Sequence, residues 1–128
     1  MRLLLDTCTF IWIAADAPEL SAEARRLFED PSNEAILSSV SAWEIAVKHA
    51  RGRLPLPEPP ERYVPALRRK YSVAPLPLAE EATLHLPLLP RLHKDPFDRM
   101  LVCQAIVHGM VILTPDKLIT QYSVRIAW

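Results

Sequence analysis

The chain has 128 residues, half of them hydrophobic, enough for one globular domain and too few for two ordinary ones. That apolar content excludes a disordered chain, and no apolar run approaches the ~18 residues of a membrane span. Its 15 basic and 15 acidic residues cancel to zero, which argues against a nucleic-acid binder acting through bulk charge.

The opening MRLLLDT carries one basic residue and three leucines before an acid, too short for a signal peptide. Residues 2–6 read as a first strand, with Leu3, Leu4 and Leu5 buried and Asp6 following without a polar spacer. A carboxylate at the edge of a buried strand is costly unless a cap, a positive partner or a metal compensates it. Thr7 to Ala15 looks helical, and Pro18 ends it. Ser21 caps an amphipathic helix running to about Asp30, with Leu27 and Phe28 facing inward. Ala35 to Ser38 reads as a second short buried strand. SVSAWEIAVKHARG is the clearest helix, with Ser39 or Ser41 as its cap and Gly52 at the C′ position. Trp43, Ile45, Ala46 and Val47 form its apolar side.

Residues 55–60 hold four prolines and are irregular. Arg62 to Tyr71 reads as a helix, Val73 to Leu78 as an edge strand at best because of its prolines, and Ala79 to Leu86 as a further helix stopped by Pro87 and Pro90. Asp95 and Pro96 form an N-cap and N1 pair. The helix they open carries apolar rows through Phe97, Leu101, Val102, Ala105 and Ile106 and closes at Gly109. Met110 to Leu113 is another buried strand, Pro115 to Lys117 a turn, Lys117 to Gln121 a single helical turn, and Val124 to Ile126 the last strand. All 13 prolines are expected at element ends or in loops. Short apolar strands alternating with helices predict one α/β domain over residues 1–128. Its central parallel sheet has four to five short strands and helices on both faces, a three-layer α/β/α arrangement.

Cys8 and Cys103 lie far apart without CxxC or histidine pairing, so they read as reduced thiols of a cytoplasmic protein and not as a zinc site. His49, His85, His93 and His108 show no ligand spacing and read as surface or helix-end residues. With Gly52 and Gly109 the only glycines, there is no phosphate-cradling loop, and no GxSxG elbow is present.

The acids carry the chemistry. Asp6 and Asp116 each follow a strand, at what should be one edge of a parallel sheet. Glu44 is expected in the first turn of the helix after the second strand, and Asp95 and Asp98 in the first turn of the Pro96 helix. Each has an ordinary structural role: Asp6 as a cap, Glu44 in a Ser41-x-x-Glu44 capping box, Asp95 as an N-cap, Asp98 as a helix-dipole partner, Asp116 as a turn residue. A cap, however, does not require acidic neighbours in space, and close carboxylates repel unless a cation is present. All-oxygen ligand sets suit Mg²⁺ or Mn²⁺, which polarise phosphoryl groups and acidify water. The cluster therefore points to metal-assisted phosphodiester chemistry. Committing Asp6, Glu44, Asp95, Asp98 and Asp116 to such a site leaves 10 of the 15 acids against 15 bases, a remainder of about +5 that is compatible with a polyanion. The strand–Asp opening also resembles haloacid-dehalogenase-type phosphatases, but Cys8 stands where they need a second Asp. A receiver domain would want paired early acids that are missing, and Lys117 is a poor match to its late lysine.

Four blocks, LLLDTCTFIW, SSVSAWEIAVKHARGRL, HKDPFDRMLVCQA and VILTPD, resemble PIN-domain ribonucleases, specifically VapC-type toxins of type II toxin–antitoxin systems. The resemblance implies an Mg²⁺- or Mn²⁺-dependent endoribonuclease, a homodimer, and a cognate antitoxin protein occupying the active-site groove. The family's metal-binding, catalytic acids fall on Asp6, Glu44, Asp98 and Asp116. Asp95 is then a cap or an outer partner, and Thr7 and Thr114 match small hydroxyl residues near the metal. Cys8 departs from relatives that carry His there, at a position outside the ligand set. The alternative is a catalytically weak PIN module that binds RNA or a protein partner.

Lys48, Arg51 and Arg53 run down the helix bearing Glu44, while Arg91, Lys94 and Arg99 flank the other acids. They are expected to serve partly as a solvated face, with a Glu44–Lys48 pair, and partly in contacts to RNA phosphates. Arg99, Lys48 and Arg51 are the candidates for that contact, Arg99 first because it adjoins Asp98. Trp12 and Trp43 are candidates for an antitoxin groove or dimer interface, with core packing the safer expectation for Trp43.

Overall fold

Leu3, Leu4 and Leu5 are wholly buried at the centre of the sheet, in β1 (Arg2–Leu5). The computed structural model describes residues 1–128. After β1 come α1 (Thr7–Ala15), α2 (Ala22–Glu29), β2 (Glu34–Ser38), α3 (Ser39–Ala50), α4 (Pro60–Tyr71) and β3 (Ala74–Leu76). The chain continues through α5 (Glu80–His85), a 3₁₀ turn (Leu86–Leu88), α6 (Pro96–His108), β4 (Val111–Leu113), α7 (Lys117–Thr120) and β5 (Ile126–Ala127). The strands lie in the order β3-β2-β1-β4-β5, and every pairing is parallel.

Side-chain parity divides the core into the two layers expected of a sheet buried on both faces. Leu3, Leu5, Ala35, Leu37, Val111 and Leu113 pack on one face with residues of α1, α2 and α4. Leu4, Ile36 and Ile112 pack on the other with residues of α6, with Ile119 and with Tyr122. Burying each β1 leucine stabilises the fold by roughly 1.5–3 kcal/mol. The β3 edge is held by Arg68, whose guanidinium donates to the carbonyls of Ala74 at 2.9 Å and Leu37 at 3.0 Å.

The strand order reverses at β1: the chain proceeds outward to β2 on one side and returns to β4 on the other. Such a switch point leaves a crevice at the carboxyl ends of the two central strands, where open α/β sheets bind ligands. Asp6 follows β1 there, and Thr114 follows β4.

Most expected elements are present, with five corrections. Ser38, the last residue of β2, caps α3 and accepts from Val40 N–H at 3.0 Å. Neither Ser39 nor Ser41 does so, no Ser41–Glu44 capping box exists, and Glu44 lies beyond the first helical turn. The inner face of α3 is Val40, Ser41, Glu44 and Ile45, so Trp43 is 59% exposed and Ala46 faces outward too. An acid has taken an inner position, which turns two apolar residues to solvent. Pro65 sits inside α4, removing one helical donor, so the prolines are not confined to ends and loops. Past α5 the chain tightens into the 3₁₀ turn around Pro87 instead of stopping. The last strand begins at Ile126, two residues after the expected Val124.

Candidate active site

Asp6 ends β1 in an extended conformation that lets its side chain cap α1. Its Oδ1 accepts from Thr7 N–H at 2.7 Å, and its Oδ2 accepts from Thr114 Oγ1 at 2.8 Å and Cys8 Sγ at 3.2 Å. The residue is only 4% exposed. Burial raises its pKa above the usual carboxylate range, the Thr114, Cys8 and Thr7 bonds offset part of that, and Glu44 adds to the rise. The side chain that caps α1 is also the one that stands beside Glu44 at this edge. Burial and the neighbouring Asp6 push the Cys8 thiol well up, so it stays protonated and donates to the carboxylate.

Glu44 reaches the same edge from α3. Thr7 Oγ1 donates to its Oε1 at 2.7 Å, and Lys48 pairs with its Oε2 one helical turn on. Burial disfavours the Lys48 charge, but the bond to Glu44 and the nearby Asp95 and Asp98 outweigh it and raise the lysine pKa. Asp116 arrives from beyond β4. Its backbone N–H donates to Thr114 Oγ1 at 3.1 Å, and its Oδ1 caps α7 by accepting from Leu118 N–H at 2.9 Å.

Asp98 comes from the first turn of α6. Asp95 caps that helix, accepting from Phe97 N–H at 2.9 Å and Asp98 N–H at 3.2 Å. Asp98 is 8% exposed, and its pKa is pushed up to about 8 by burial first, then by the charges of Asp6, Asp95, Asp116 and Glu44. Its Oδ2 lies 3.3 Å from His93 Nε2. The His93 ring is buried and its Nδ1 is 2.8 Å from the Tyr122 hydroxyl.

The four acids from four segments thus gather at the crevice between β1 and β4, electrostatically coupled to one another through Asp98. Their donors are of the type that suits a hard cation, oxygen only and mutually repelling, with Asp6, Glu44 and Asp98 buried and Asp116 partly exposed. They do not form a closed chelate, since no three His, Cys, Asp or Glu side chains are arranged to hold an ion. Glu44 is turned to Lys48 and Asp98 to His93. The residues fit a divalent cation in donor type and in their shared need for positive charge, and Lys48 supplies part of that charge here.

The outer residues sort differently from expectation. Arg99 does not project toward the acids; it donates to Pro90 carbonyl at 2.9 Å and to Tyr122 hydroxyl at 3.0 Å. Arg51 and Arg53 are exposed beyond the end of α3, Arg51 about 10 Å along the helix from Glu44 at 1.5 Å per residue. An open cleft of about 660 Å³ beside α6 contains Arg91, His93, Lys94 and Arg99 against Leu86 and Leu89, with no carboxylate in its lining. Trp12 is half-buried, edge-on to Trp128 at 5.8 Å, and the exposed Trp43 stands edge-on to Phe97 at 4.9 Å. The sequence places His93 among surface or helix-end histidines, whereas its ring is buried and bonded on both sides, and nothing local singles out Tyr122. The only local hint for His93 was its place in the HKDPFD block, and Tyr122 lies 29 residues away from it.

Comparison with known proteins agrees with this architecture. A model of the PIN domain family matches residues 3–124. Ribonuclease VapC16 of Mycobacterium tuberculosis (strain ATCC 25618 / H37Rv) is 41% identical over 73 residues, covering 57% of this chain and 50% of that protein. The match therefore spans about half the length of that relative. A VapBC2 structure from Rickettsia felis, bound to a promoter DNA fragment, superposes with a TM-score of 0.72 at 14% identity, over 99% of this chain and 98% of that one. DNA-bound VapBC from Salmonella typhimurium gives 0.69 at 20% identity, over 99% and 97%. At such identities the superpositions establish the three-layer fold and its five-stranded parallel sheet.

Proposed function

The chain belongs to the PIN domain family, and from that premise we propose that it is a metal-dependent endoribonuclease acting as the toxin of a toxin–antitoxin pair. The observation that carries this is the convergence of Asp6, Glu44, Asp98 and Asp116 at the β1–β4 crevice, where burial and mutual repulsion push Asp98 up to about 8. A carboxylate cluster so disfavoured is relieved by a divalent cation. Support also comes from a 41% identical relative named a ribonuclease and from fold neighbours that are VapBC assemblies.

In this reading Asp6, Glu44, Asp98 and Asp116 hold Mg²⁺ or Mn²⁺. When bound, the ion supplies Lewis-acid stabilisation of the phosphoryl group and acidifies water for in-line hydrolysis of RNA. Thr114 and Thr7 orient Asp6 and Glu44 through the bonds described above. Lys48 is the counter-charge of Glu44, a role that a bound cation would share. Arg91 and Lys94, exposed on the acid-free cleft, steer the RNA phosphates. The cognate partner is an antitoxin protein, and the chain acts as a homodimer in the cytoplasm.

The test is cleavage of RNA by protein freed of antitoxin, with Mn²⁺ and with a chelator. Cleavage that needs Mn²⁺ and disappears in Asp6→Asn supports the reading. Wild-type cleavage by Asp6→Asn overturns it. RNA binding without cleavage under any divalent ion would favour a catalytically weak PIN module.

A further inference from the structure

Arg99, Tyr122, His93 and Asp98 form a continuous chain of side-chain contacts. Arg99 Nη1 is 3.0 Å from Tyr122 Oη, that oxygen is 2.8 Å from His93 Nδ1, and His93 Nε2 is 3.3 Å from Asp98 Oδ2. The ring of His93 is 7% exposed, Tyr122 is 4% exposed, and their rings lie 5.4 Å apart. The chain joins the segment before α6, its first turn, and the turn after α7.

Its polarity follows from what each group is able to do. A guanidinium only donates, so Tyr122 Oη accepts from Arg99. The tyrosine proton then needs an acceptor, and His93 Nδ1 is the other group hydrogen-bonded to that hydroxyl. A neutral imidazole that accepts at Nδ1 carries its proton on Nε2, which faces Asp98. Reversing the two lower links would leave the buried Tyr122 proton without a partner, and a buried unsatisfied donor is disfavoured. Arg99 is itself fixed by the Pro90 carbonyl at 2.9 Å.

We propose that His93 is a positioning residue that orients the Asp98 carboxylate through a one-way hydrogen-bond chain anchored at Arg99 and Tyr122. This rests on the reading of Asp98 as a cation ligand. The side chain of Asp98 enters from a helix whose cap, Asp95, engages only its backbone, so nothing else in its surroundings holds the carboxylate by hydrogen bonding. His93 supplies that hold, and Arg99 acts from the far end as the anchor instead of as an RNA contact. Outer partners of this kind change metal affinity by roughly 10–100-fold when removed.

Two measurements on the full chain test it. In metal-free protein, ¹⁵N NMR of the His93 ring should show the Nε2–H tautomer, and Tyr122→Phe should lose that preference. The opposite tautomer in the wild type overturns the proposal. Titration with Mn²⁺, read by the electron paramagnetic resonance of the free ion, should show affinity falling at least ~10-fold in His93→Ala. His93→Gln, which keeps a donor in place, should retain most of it. In an Asp98→Asn background His93→Ala should have no further effect on residual affinity. An equal loss in both backgrounds means that His93 acts other than through Asp98 and also overturns the proposal. A wild-type chain that binds no Mn²⁺ would sink the metal reading, while the tautomer still decides the chain of bonds.

Discussion

Thr114 Oγ1 donates to Asp6 Oδ2 at 2.8 Å. The two residues follow β4 and β1, and are separated by 108 positions in sequence. The same hydroxyl accepts from Asp116 N–H, so one small side chain fixes the acid after β1 relative to the loop carrying the acid after β4. This geometry exists only because β1 and β4 are parallel neighbours, with Leu5 opposite Leu113.

Thr114→Val keeps the shape and deletes the hydroxyl. A buried carboxylate loses a donor, and the Asp116 N–H loses its acceptor. Stability in chelator should fall by roughly 1–3 kcal/mol, read from urea unfolding. Mn²⁺-dependent cleavage should also drop, through misplacement of Asp6. Full activity in this variant would mean that the hydroxyl only packs.

Asp6→Asn separates the two roles of Asp6. The amide oxygen still caps α1, so folding should persist, and circular dichroism should match the wild type. Relief of a carboxylate whose ionisation is opposed by burial offsets the loss of the Thr114 and Cys8 bonds at Oδ2, so stability in chelator at pH 7 should change by less than in Thr114→Val. Cleavage should fall by more than about 100-fold, the scale of losing one electrostatic stabiliser of a transition state.

Asp98 predicts a pH dependence of defined sign. Its folded pKa of about 8 lies above the ordinary 3.8, so the folded chain holds a proton that the unfolded chain releases. Its contribution to stability is fully present below the ordinary value and is lost as pH rises through the folded one. Unfolding in chelator should therefore show stability declining between about pH 4 and pH 8. Asp98→Asn should flatten this slope. Adding Mn²⁺ should flatten it as well, since the cation then favours the ionised form.

Lys48→Met removes the cation beside buried Glu44. Breaking a fully buried pair costs about 3–5 kcal/mol, but the Lys48 side chain is 43% exposed, and screening reduces the loss to about 1 kcal/mol. The loss should appear in chelator and shrink when Mn²⁺ is present, because the metal replaces the ammonium as the partner of Glu44. A deficit unaffected by Mn²⁺ would place Glu44 outside the ion's reach.

Where neighbouring residues decide the outcome, the sequence was a good guide. The run Leu3–Leu5 before Asp6 marks a buried strand meeting a cap, and α1 spans Thr7–Ala15 as its pattern requires. Asp95 and Pro96 open α6 by the same local chemistry, and Gly109 closes it with a positive φ. The cap of α3 is Ser38 and neither Ser39 nor Ser41, because β2 runs into the helix without a loop and Ser38 belongs to both. Trp43 looked like core because it is apolar, yet the helix turns by what its neighbours pack against, and the inner place goes to Glu44.

The sequence by itself determined most of the elements, the acids that follow β1 and open α6 and α7, and the layering, because hydrophobic period and capping act within a few residues. Tertiary structure alone decided which groups each acid meets. Thr114 reaches Asp6 through strand order, Thr7 meets Glu44 across 37 positions, and Arg99 turns away from the acids to Tyr122, whereas the i,i+4 pair of Glu44 with Lys48 is legible in the sequence. A hydrogen bond depends on angle and on tenths of an ångström, and across tens of residues only the packed sheet sets those.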